Sequence, residues 1–143
     1  MLDLNHLHPM LVHFPIALLL TGFVFDVFSL FFSKKEPCLS KIGFYLMILG
    51  TLGAGAAYLS GDLFTQEMSG AAGELREKHE LFAKTTLFIM LAASLLRIIA
   101  VATKKDKGWL KWLVFVLFAV GAACVGFTGF LGGSLVFNYM VGF

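Results

Sequence analysis

Residues 6 to 32 read HLHPMLVHFPIALLLTGFVFDVFSLFF, and this stretch decides the fold. From Pro9 to Phe32 the only ionisable side chains are His13 and Asp26. About 20 such residues in a helix cross the hydrocarbon core of a bilayer. Working outward, three further apolar stretches follow, Ile42 to Gly61, Phe82 to Ala102 and Leu110 to Phe137. With 59% hydrophobic residues and a mean hydropathy of +0.87, the 143-residue chain is more apolar than a soluble domain of its size needs to be. The expectation is an all-α membrane protein, a four-transmembrane-helix up-down bundle forming a single domain over residues 1–143. No Lys or Arg precedes the first stretch and no small-residue cleavage site follows it, so it reads as a span and not as a signal peptide.

The basic residues orient the bundle. Of eleven, eight flank the first and third connections, namely Lys34, Lys35, Lys41, Arg97, Lys104, Lys105, Lys107 and Lys111. Arg76, Lys78 and Lys84 lie on the other side. The positive-inside rule then makes those two connections cytoplasmic and both termini extracytoplasmic. A net charge of +2 that is arranged by topology points away from nucleic acid as a partner and towards the lipid bilayer. Cys38 and Cys124 fall at different depths and read as structural thiols.

Pro9 suits a first helical turn, which makes His8 the expected N-cap. Pro15 cannot donate to the carbonyl of Leu11, so the helix is expected to bend just below His13. Two charges lie deep in the spans, Asp26 in the first and Arg97 in the third. Both sit about 1.5 Å per residue times six or so from their cytoplasmic ends, which makes them natural partners in a structural charge pair. Small residues recur along the second span (Gly50, Gly53, Ala54, Ala57, Ser60) and the fourth (Ala119, Ala122, Gly126, Gly129, Gly133), as close helix packing requires.

About twenty residues outward from each cytoplasmic end, the polar groups converge on one level. His8, His13, Asp62 and His79 arrive there, and so do glycines of the fourth span. In an up-down bundle the first and third helices are diagonal, about 11–14 Å apart when neighbours are about 8–10 Å apart. Two imidazoles on opposite faces of a haem iron need about that separation, and glycines on the other diagonal leave room for a flat macrocycle. The favoured expectation is therefore haem b, with His13 and His79 as axial ligands and Gly53, Gly126 and Gly129 as walls. The role would be electron transfer rather than substrate turnover, with a redox partner or a second copy alongside. With no Cys-x-x-Cys-His, covalent c-type attachment is ruled out. The rival expectation is a copper or zinc site built from His6, His8, Met10 and Asp62 together with His13 and His79, since thioether with imidazole suits Cu(I). A third is a structural membrane subunit without cofactor, whose histidines only cap and pair.

The opening HPMLVHFPIA (residues 8–17), Gly61-Asp62 after the second span, His79 at the head of the third and the closing GGSLVF (residues 132–137) resemble the domain of unknown function 2231 family of bacterial inner-membrane proteins. The resemblance covers nearly the whole chain. It implies a prokaryotic four-helix protein of the inner (cell) membrane and supplies no activity, so the haem expectation rests on the residues alone.

Overall fold

The computed structural model describes residues 7–32, 34–64 and 67–140. A short helix α1 (Leu7–Leu11) leads into α2 (His13–Phe32), followed by α3 (Cys38–Phe64), α4 (Gly70–Ala102) and α5 (Gly108–Leu135). A π-helical turn, Val136–Met140, closes α5. Four helices are long and apolar enough to cross a membrane, over His8–Phe32, Cys38–Leu63, Gly70–Ala102 and Gly108–Tyr139. The all-α bundle expected from the sequence is the fold observed.

The break between α1 and α2 falls at Val12. Its cause is Pro15, which lacks the N–H that Leu11 needs and whose ring crowds that carbonyl. The polar segment after α3 is shorter than the sequence suggests, because α4 already begins at Gly70. Ala71, Ala72, Glu74, Leu75, Arg76 and Glu77 are mostly strong helix formers, so the amphipathic lead-in is continuous with the span.

The helices form a square. α2 packs against α3 and α5, α4 packs against α3 and α5, and α2 faces α4 across the diagonal. Leu19, Met47, Met90 and Phe118 are fully buried at its centre. Outward-facing Phe31, Leu52, Phe88, Leu95 and Phe130 are exposed, as a lipid-facing surface requires.

Polar groups in the interior are matched. Arg97 donates to both carboxylate oxygens of Asp26, with 2.6 Å for the Nη2–Oδ1 bond, and both residues are 5% exposed. The same guanidinium reaches the carbonyl and hydroxyl of Ser40 at 3.2 and 3.3 Å and lies 5.9 Å from the centre of the Phe44 ring. Gly43 makes room for the carboxylate, since a Cβ there would lie 2.8 Å from Oδ1. One level outward, Thr51 of α3 and Ser94 of α4 share a hydrogen bond of 2.9 Å. Among the described residues no buried side-chain N or O lacks a partner, as a medium without water demands.

Candidate functional site

At the end of the bundle where α1 enters and α4 begins lies a cavity of about 470 Å³. Ligand pockets fall in the range of about 300–1,000 Å³. Apolar side chains such as Val12, Ile16, Ala54, Ala83, Val125 and Leu135 make up much of its wall. The polar lining includes His8, His13, His79, Arg76, Asp62 and Glu80.

Two of the imidazoles are held in the same way, each by a carbonyl of another helix. His8 Nδ1 lies 3.0 Å from the carbonyl of Ala57 and 2.9 Å from the hydroxyl of Ser60. Ser60 itself donates to the Ala57 carbonyl at 2.7 Å, so its oxygen is left to accept from His8. His79 Nδ1 lies 3.0 Å from the carbonyl of Thr128. A carbonyl only accepts, so both rings carry their proton on Nδ1, and in the neutral form each keeps a lone pair on Nε2. This is the orientation that metal-binding histidines adopt, with the far nitrogen pinned by a carbonyl. Each ring also rests on a glycine. A Cβ at Gly61 would lie 2.9 Å from His8 Cε1, and one at Gly132 would lie 3.1 Å from His79 Cε1. The ring centres are 6.3 Å apart, with planes inclined at 83°.

Several sequence expectations change here. His8 is not an N-cap: it lies inside α1, and its ring crosses to α3. His13 lines the cavity but is exposed, and its Nδ1 is tied to the carbonyl of Pro9 at 2.6 Å. His79 is therefore the near neighbour of His8, with ring centres 6.3 Å apart, where the sequence suggested a pair with His13. The glycine walls also differ. Gly129 lines the cavity, but Ile16 Cδ1 would be 2.8 Å from its Cβ, so a side chain fills that space. Gly53 is covered by Pro15, with Cδ 3.4 Å away, and Gly126 has no neighbour within 4 Å; neither lines the cavity. The glycines that serve the site are Gly61 and Gly132. The sequence signal for them was the Gly61-Asp62 and Gly132-Gly133 pairs, but nothing in one chain read linearly shows which ring rests on which glycine.

For the alternative ion site, His6 lies outside the described residues. Met10 is 61% exposed, and Asp62 is exposed. Among the described residues no three of His, Cys, Asp and Glu are grouped to hold a metal ion.

Residues 5–143 match the family described as "Predicted membrane protein (DUF2231)", and the chain belongs to that family. No curated protein and no solved structure matches it.

Proposed function

We infer that the protein is a small membrane haem b protein that passes electrons, in which His8 and His79 are the two residues that would hold the iron. The observation that carries this reading is the spacing of the two imidazoles. Metal–nitrogen bonds of about 2.0–2.1 Å, plus about 1.15 Å from nitrogen to ring centre on each side, put two imidazoles on opposite faces of one metal about 6.3–6.5 Å apart. The rings of His8 and His79 are 6.3 Å apart before any ligand is considered. A donor set of two neutral nitrogens suits a metal whose other ligands arrive with it, as the four porphyrin nitrogens do. A bare zinc ion calls for three or four protein ligands.

The surroundings fit the group as well. The apolar wall would exclude water from a macrocycle, and Arg76 in the lining offers a cation for its carboxylates. The Nδ1–H bonds to Ala57 and Thr128 hold the ring orientation and raise the basicity of Nε2. When bound, the haem would supply one-electron chemistry; the chain's part is to ligate it, shield it and set its potential. By the positive-inside rule the site lies near the extracytoplasmic face of a prokaryotic inner membrane, with a redox partner or second copy reached from that side.

The test is a titration of the purified apoprotein in detergent with haemin. The expected result is one haem per chain with the Soret and sharp alpha bands of a six-coordinate low-spin centre on reduction. Failure to bind haemin, combined with tight binding of copper that is lost in His8→Ala, would replace this reading with the copper one.

A further inference from the structure

The two histidine seats are related by a fixed offset. His8 bonds Ala57 across 49 residues, and His79 bonds Thr128 across 49 residues. In each, the glycine under the ring comes four residues after the accepting carbonyl. A shift of 71 residues converts one seat into the other, and 71 is also the separation of Asp26 from Arg97. The same shift carries the buried face of α2, Pro15, Leu19, Gly22, Asp26 and Ser29, onto Thr86, Met90, Ala93, Arg97 and Ala100, all buried on α4. It pairs the four largest fully buried side chains among the described residues, Leu19 with Met90 and Met47 with Phe118. Gly50, pressed by Leu19, corresponds to Gly121, pressed by Met90. Identities at the offset include Leu20 with Leu91, Phe44 with Phe115 and Gly55 with Gly126.

The packing has the same symmetry. The α2–α3 hairpin matches the α4–α5 hairpin, and the contact of α2 with α5 matches that of α4 with α3. Parallel repeats of this kind are related by an axis along the membrane normal. A residue meets its own counterpart only near that axis, and two pairs do so: Asp26 with Arg97 at one end and His8 with His79 at the other. Eighteen residues of helix between these levels rise about 27 Å, so the axis runs through most of the hydrocarbon thickness.

We propose that the chain is a fused pair of equivalent helical hairpins and that the cavity is their shared two-fold site, which holds a flat macrocycle upright with one face against each hairpin. The geometry follows from the symmetry. A line joining two points related by a two-fold axis is perpendicular to that axis, so the line from His8 to His79 lies in the plane of the bilayer. A macrocycle ligated along that line has its plane parallel to the membrane normal. The identity of the ligand rests on the haem reading above; the two-fold relation does not.

Two measurements separate the possibilities. In the first, haem-loaded protein is reconstituted into oriented lipid multilayers and the direction of the haem normal is read by electron paramagnetic resonance. The expected result is a haem normal lying in the membrane plane. A haem lost in both His8→Ala and His79→Ala, yet with its normal tilted towards the membrane normal, would overturn the two-fold site while leaving the haem reading intact. Absence of haem would overturn that reading instead. The second measurement needs no ligand and exchanges counterparts, combining Asp26→Arg with Arg97→Asp and Ser40→Lys with Lys111→Ser. Asp26→Arg alone buries two cations together and should lose nearly all folded protein, and the full exchange should recover about half of it or more. An exchange no better than Asp26→Arg alone would overturn the equivalence of the hairpins.

Discussion

Replacing Arg97 with Leu tests the interior of the bundle most sharply. Asp26 and Arg97 are each 5% exposed, and the guanidinium supplies hydrogen bonds to both carboxylate oxygens. Breaking such a pair from one side leaves a buried charge uncompensated, which costs about 3–5 kcal/mol. That is a large share of a total stability of about 5–15 kcal/mol. Asp26→Leu should cost less, because Arg97 keeps the Ser40 carbonyl and hydroxyl as acceptors and the Phe44 ring beside it. The double variant should recover most of the loss, since an apolar pair of similar volume replaces a buried ion pair at little net cost. The expected coupling is therefore about 2–3 kcal/mol or more. Reversible unfolding in mixed detergent micelles, followed by far-ultraviolet circular dichroism, measures all four corners of the cycle. A double variant whose loss equals the sum of the two single losses within about 0.5 kcal/mol would refute the argument.

The remaining expectations follow from single contacts. Gly61→Ala and Gly132→Ala, which push a methyl group against the rings of His8 and His79, should weaken haem retention measured by competition with apomyoglobin, whereas Gly55→Ala, with nothing within 4 Å of its Cβ, should leave it unchanged. Thr51→Val removes a 2.9 Å hydrogen bond to Ser94 between α3 and α4 and should lower stability by about 0.6–1.7 kcal/mol in the same unfolding assay. A reporter fused after Phe143 should read extracytoplasmic; a cytoplasmic reading would reverse the orientation argued from the eight basic residues flanking two connections.

Much of this architecture was legible in the chain because bilayer thickness fixes how long an apolar helix must be. The Asp26–Arg97 partnership was legible for a related reason, since helical rise places both at one depth and a charge there needs a counterpart. The site was legible only as a level. Pro9 and Pro15 announced a disturbed helix entrance, and Pro15 accounts for the break at Val12, but the inclusion of Leu7 and His8 in α1 was not legible. What turns His8 inward is the carbonyl of Ala57 and the hydroxyl of Ser60 on another helix, and a backbone acceptor leaves no mark in a sequence. The glycines posed the same difficulty. Gly53, Gly61, Gly126, Gly129 and Gly132 look alike in a helical pattern, yet one lies under Pro15, one under Ile16, one against open space and two under imidazoles. The 71-residue offset was present in the letters, at His8 with His79 and Gly61 with Gly132, but is diluted because most counterparts share only size and polarity.

The most direct measurement is a reduced-minus-oxidised spectrum of haemin-reconstituted protein in which each of the three described histidines is changed in turn to Ala. His8 and His79 are each held by a carbonyl of another helix, with ring centres 6.3 Å apart, whereas His13, although also pinned at Nδ1 by a carbonyl, is exposed and held within its own helix entrance. Low-spin alpha and Soret features should therefore be lost in His8→Ala and in His79→Ala and kept in His13→Ala. A spectrum that survives His8→Ala and disappears with His13→Ala would contradict the account at its centre, and so would a parent protein that takes up no haem.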